Sequence, residues 1–181
     1  VDTYFRVPDE KQDRRAQLYY RDPATRKATQ MGGQQFGRGN VLSGGGGLHG
    51  TMADYLRFCR MLLNGGELDG VRILSPRTVR YMTQNHLPGG VDLETFGRGT
   101  FAESANDGVG FGLGFSVAID PVHNKVPDSV GSYGWGGMAS TTFWCDPVED
   151  MAVVFLTQLV PSGTYPFLPY LHQLVTQSIV Q

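Results

Sequence analysis

Tyr133-Gly134-Trp135-Gly136-Gly137-Met138, running on to Phe143-Trp144-Cys145-Asp146-Pro147 and then to Val153-Val154-Phe155-Leu156-Thr157-Gln158, is the stretch from which the rest of the chain is read. Aromatic and β-branched residues dominate its later pieces, as they do in half-buried strands. One strand is expected over about Gly134–Asp146 and another over Met151–Gln158. Pro147-Val148-Glu149-Asp150 lies between them, and so short a connection favours antiparallel neighbours. Upstream, Val109, Phe111, Leu113, Phe115, Val117 and Ile119 alternate with Gly110, Gly112, Gly114, Ser116 and Ala118. This period of two predicts a further strand with one large apolar face and one nearly bare face. A bare face lets a helix or another backbone approach closely.

Helical signals flank these strands. Thr51, with Asp54 three residues on, resembles a capping box. Met52, Tyr55, Leu56, Cys59, Leu62 and Leu63 then share one face, and Asn64-Gly65-Gly66 stops the helix. A tight hairpin is expected around Asp69-Gly70. A second helix opens with Ser75 as cap and Pro76 at its first position and runs to about Asn85. Residues 86–108 read as irregular loop. Residues 1–40 read as short strand pieces and loop, with turn signals at Arg21-Asp22-Pro23, Gly32-Gly33 and Gly37-Arg38-Gly39-Asn40. After Pro161-Ser162-Gly163 a final helix lines up Phe167, Leu168, Leu171, Leu174, Val175 and Ile179, a stripe that can pack on the sheet.

Composition narrows the class. Glycine supplies 25 of 181 residues, about twice ordinary usage, while hydrophobic residues make up 40% and charged residues 18%. That is a lightly charged globular chain, long enough for one domain with a real core. No apolar run approaches a membrane span. A net charge of −2 argues against nucleic acid as the main partner, and the basic excess within residues 1–40 reads as a solvated surface. Cys59 and Cys145 form neither a disulfide framework nor a metal pattern, and their apolar neighbours make them buried free thiols. His49, His86, His123 and His172 are isolated from one another, so each reads as structural or surface. Phosphate-binding glycine motifs and a Gly-x-Ser-x-Gly elbow are absent.

Two segments stand out against this background. Ser43-Gly44-Gly45-Gly46-Gly47-Leu48 runs into Thr51-Met52-Ala53-Asp54-Tyr55-Leu56-Arg57-Phe58, and the second is the Tyr133–Gln158 stretch. Their order over about residues 40–180 resembles the C-terminal half of the serine β-lactamase-like superfamily. That superfamily includes class C β-lactamases, DD-peptidases and family VIII carboxylesterases. Trp135-Gly136-Gly137 looks most like the esterase branch, where such a triplet replaces Lys-Thr-Gly. The implied fold class is α/β of the α+β type, the C-terminal part of the β-lactamase/DD-peptidase-like fold. It comprises a three-stranded antiparallel meander with a C-terminal helix, plus two helices of the helical subdomain. Residues 1–181 would form one incomplete domain, with 1–108 mostly helical-subdomain region and loops and 109–181 the sheet strands and last helix.

The resemblance also implies chemistry. A serine is a poor nucleophile until a neighbouring base takes its proton, and the oxyanion that follows needs fixed backbone donors. By position, Trp135, Gly136 and Gly137 would bind substrate along an edge strand, and the N–H of Met138 would be an oxyanion donor. Gly136 and Gly137 would keep the strand open to substrate, with Trp135 a wall of the acyl pocket. Read without the family, Trp135 is a core aromatic beside a glycine turn, and Ser43–Gly47 is the approach to a helix. The superfamily's Ser-x-x-Lys and Tyr-x-Asn/Ser motifs are both missing: Pro8, Ala24 and Val122 precede the three lysines by three residues, and no tyrosine has Asn or Ser two residues on. With a Val1 start, the expectation is an N-terminally truncated serine hydrolase acting on a small ester or β-lactam-like substrate, inactive alone. Its partners would be the missing N-terminal segment or a second copy, and its mechanism needs no metal or cofactor. The alternative is a non-catalytic binding or scaffold protein that keeps the fold.

Overall fold

The computed structural model describes residues 1–31, 42–97 and 106–180. A 3-10 turn at Asp9–Arg14 precedes β1 (Tyr19–Arg21) and β2 (Ala28–Gln30). Then come α1 (Met52–Leu63), β3 (Glu67–Leu68), β4 (Val71–Arg72), α2 (Pro76–Met82) and the single turn α3 (Leu93–Phe96). The remainder is β5 (Val109–Phe111), β6 (Ser116–Ala118), the turn α4 (Pro121–Asn124), β7 (Tyr133–Gly136), β8 (Thr142–Asp146), β9 (Met151–Phe155), β10 (Leu159–Val160) and α5 (Phe167–Gln177). β5-β6-β7-β8-β9 form one antiparallel meander, β3-β4 a hairpin, and β10-β1-β2 a small mixed sheet. The turn signals at Gly32-Gly33 and Gly37–Asn40 lie outside the described residues, as does 98–105 of the expected loop.

Local chemistry accounts for the helix starts. The Asp54 N–H donates to Thr51 Oγ1 at 3.2 Å, and the Thr78 N–H donates to Ser75 Oγ at 3.0 Å. Each bond satisfies a donor that the first turn otherwise leaves unpaired. The hairpin turn falls on Asp69 and Gly70, both at positive φ, which the right-handed twist of the flanking strands favours. α1 lies on the sheet, and Cys59, Met61 and Leu62 join Phe115, Val117, Tyr133, Phe143 and Cys145 in one core. Met52 and Leu56, expected on the inner face, are 51% and 39% exposed, so the buried stripe is narrower than the periodicity implied.

The meander has five strands rather than three. The expected strand from Val109 is a hairpin, because Gly114 takes φ +101° and the Gly112 N–H closes on Phe115 O at 2.8 Å. A tight turn preserves the parity of alternation, so period two alone cannot distinguish a hairpin from one long strand. Likewise Gly134–Asp146 folds back after Gly136: the Gly137 N–H donates to Thr141 O at 2.8 Å, with Ser140 at φ +63° in the turn. The last expected strand ends at Phe155, and Leu159–Val160 joins β1 instead. The bare face does what its glycines allow. A Cβ on Gly110 would sit 2.4 Å from Asn85 Cγ, and one on Gly112 would sit 2.1 Å from Met82 O. α2 stops at Met82, short of Asn85, whose side chain serves this contact.

α5 departs from expectation in how it is held. Phe167, Leu168 and Leu174 stay 39%, 44% and 66% exposed. Leu171, Val175 and Ile179 are half-buried, and the helix's buried residue is His172, stacked on Trp144 at 3.8 Å between ring centroids and bonded through Nδ1 to Asp128 Oδ1 at 2.7 Å.

Candidate active site

β7 is not an edge strand: β6 flanks it on one side and β8 on the other. Its pairing with β6, however, covers only Tyr133 and Gly134, whereas its pairing with β8 continues through Trp135 and Gly136. The half of β7 that carries the triplet therefore overhangs the end of β6. In an antiparallel pair, hydrogen bonding alternates along the strand. Since the Gly137 N–H faces β8, Gly136 presents its N–H and C=O to the opposite side, in line with Gly134 and beyond Ser116, where β6 begins. Ser116 Oγ caps Gly134 O at 2.8 Å, the last bond from β6 on that side.

Beyond the strand, Gly137 to Ser140 make a turn, with the Ser140 N–H donating to Gly137 O at 2.9 Å. β10 clamps this turn from behind: Ser140 Oγ donates to Leu159 O at 2.7 Å and the Leu159 N–H donates to Ala139 O at 3.1 Å. Met138 occupies the first corner. Its residue is 59% exposed and its N–H has no acceptor among the described residues. A rigid turn presenting a free N–H is a preorganised donor.

Trp135 is 39% exposed, so it is not a core aromatic. Its ring meets Phe111 edge to face, with centroids 5.1 Å apart at 80°. Phe111, which sequence reasoning passed over as one more strand aromatic, is thus the ring that Trp135 packs against. Its backbone is fixed by Asn85, whose Oδ1 accepts from the Phe111 and Leu87 N–H groups, both at 3.1 Å, while Nδ2 donates to Val91 O at 2.9 Å. The glycines differ in what they tolerate. A Cβ at Gly136 would meet only Thr141 O at 3.4 Å, whereas one at Gly137 would come within 2.6 Å of Thr141 Oγ1. Packing thus explains glycine at 137 but not at 136.

The other candidates scatter. Gly44, Gly45 and Gly46 lie in an exposed stretch before Thr51, with no close packing around them. No group of three His, Cys, Asp or Glu side chains able to hold a metal occurs among the described residues. No helix among them is long and apolar enough to cross a membrane. Cys59 and Cys145 are buried and free, as expected. Burial pushes the Tyr55 hydroxyl up to about 12 and raises that of Tyr133 further, so neither is disposed to act as a base near neutrality.

The beta-lactamase family profile matches residues 1–177. The chain belongs to the beta-lactamase family. Protein Rv1367c of Mycobacterium tuberculosis (strain ATCC 25618 / H37Rv) is 37% identical to it over 165 residues, 89% of this chain and 40% of that protein. Uncharacterized protein MT1414 of Mycobacterium tuberculosis (strain CDC 1551 / Oshkosh) matches equally well. Among solved structures, EstCE1, a hydrolase with promiscuous acyltransferase activity, is 26% identical with a TM-score of 0.68, covering 92% of this chain and 44% of its own. Simvastatin synthase (LovD) from Aspergillus terreus superposes with a TM-score of 0.78 at 22% identity, covering 100% of this chain and 47% of its own. These likenesses make the fold that of a serine β-lactamase-type protein. The chain spans less than half the length of each of these relatives.

Proposed function

We propose that this chain forms one wall of a serine acyl-transfer site of the esterase or β-lactamase-related type. The observation that carries the reading is the overhang of β7, where Gly136 and the Met138 N–H lie open beyond the end of β6. In such a site a serine oxygen attacks the substrate carbonyl, and the carbonyl oxygen takes up negative charge as the tetrahedral intermediate forms. The Met138 N–H would donate to that oxygen, and one such donor is worth about 2.7–4 kcal/mol of transition-state stabilisation. An ester or β-lactam-like substrate would lie along Gly136 and Gly137, with Trp135 and Phe111 bounding its acyl group. The esterase side is favoured by a Trp-Gly-Gly triplet in place of Lys-Thr-Gly and by the hydrolase activity of EstCE1.

No serine among the 181 residues is followed three positions later by lysine, so the nucleophile and its base would come from polypeptide outside them. We therefore expect no turnover of p-nitrophenyl butyrate by the purified chain. A fluorophosphonate probe applied to the native gene product is expected to label a serine outside these 181 residues. Turnover by the 181-residue chain would overturn the division of labour. Absence of any labelled serine in the native product would favour a non-catalytic binding or scaffold protein.

A further inference from the structure

Cys59 and Cys145 take no part in the proposed acyl-transfer site. Both residues are fully shielded from solvent, one on α1 and the other on β8, 86 positions apart in sequence. Cys145 Sγ lies 4.0 Å from Cys59 O, which seats the two residues against one another in the same core cluster. Tyr133 lies beside them, opposite Cys145 in the β7–β8 register. Two cysteines adjoining within one core differ from the usual pair of separate apolar fillers, because a bond between them would join elements already packed together.

We propose that Cys59 and Cys145 are a disulfide-forming pair that covalently ties α1 to β8 when the chain meets a disulfide oxidant. The sequence of bonds is ordinary thiol–disulfide exchange. When α1 opens locally from the sheet, the Cys59 thiolate it carries attacks one sulfur of oxidised glutathione, forming a mixed disulfide and expelling one glutathione thiolate. The Cys145 thiolate then attacks Cys59 Sγ, closing the protein disulfide and expelling the second glutathione. The two protons lost by the cysteines end on the two glutathione thiols, and the two electrons reduce the oxidant's S–S bond. The bond would close a long loop containing α2 and β5 to β7, the case in which restricting the unfolded chain has the largest effect.

The test incubates the folded 181-residue chain with oxidised glutathione and alkylates remaining thiols in denaturant. Non-reduced peptides are then mapped by mass spectrometry, with thermal melts run on both redox forms. The expected result is a Cys59–Cys145 linked peptide within single chains and a Tm several degrees higher in the oxidised form, reversed by dithiothreitol. Recovery of both cysteines as alkylated thiols, as stable glutathione adducts or in links between chains would overturn the proposal. Cys59→Ser and Cys145→Ala are each expected to abolish the redox-dependent Tm difference. The wild-type peptide map decides the matter even where a variant fails to fold.

Discussion

Met138 would contribute through its backbone, so the informative substitution deletes the N–H and keeps the turn. It occupies the first corner of the Gly137–Ser140 turn, a position that accommodates proline. In a catalytically competent full-length protein, Met138→Pro is expected to lower kcat about 10²–10³-fold with circular dichroism unchanged. An undiminished rate in steady-state ester hydrolysis would remove Met138 from the site. Asp92 supports a second prediction. Hydrogen bonding to Thr95, and then to the Gly108 N–H, holds its carboxyl at about 2 against an ordinary 3.8. Between those values the unfolded chain binds the proton and the folded chain does not. The contribution of Asp92 is therefore complete above about pH 5 and is lost as pH falls through its folded pKa. Asp92→Ala should melt below wild type near neutrality, and the gap should close toward pH 2 in thermal melts followed by circular dichroism. Trp135 was legible at this scale as a residue of interest, but Phe111 and Asn85 were not, since neither belongs to a motif.

Where α2 meets the β5–β6 hairpin, backbone touches backbone: the Leu113 N–H donates to Met82 O at 2.8 Å, and Gly112 lies against the same carbonyl. Gly112→Ala is expected to cost about 1–3 kcal/mol through overpacking. Gly44→Ala, with open space around the new methyl group, should stay within about 0.5 kcal/mol. Urea denaturation of both variants measures the difference, and equal midpoints would show that the close approach is not a constraint. The alternation of large residues with glycine was enough to foresee this contact surface. It was not enough to foresee the turn inside it, because Gly114 matches the bare-face pattern while its positive φ reverses the chain. Capping by Thr51 and Ser75 was readable because each bond is made within four residues.

Across the whole molecule, apolar surface remains uncovered where a complete core would close it. α5 exposes Phe167, Leu168, Tyr170 and Leu174, and β9 is an uncharged outer strand of the meander. Exposed apolar surface and free strand edges favour association. Sedimentation velocity is expected to show concentration-dependent self-association of the chain, weakened by Leu174→Glu; a monomer at all concentrations would contradict this. The starts of α1 and α2 and the burial of both cysteines were determined by the sequence, because each rests on local periodicity or capping chemistry, and the resemblance to the family was carried by the order of its motifs. Tertiary structure alone decided that three apparent strands are five, that β7 lies inside the sheet and opens only past the end of β6, and that α5 buries His172 while only part of its apolar stripe is covered. Those outcomes depend on which backbone groups find partners far along the chain, and local sequence carries no record of where a neighbouring strand stops.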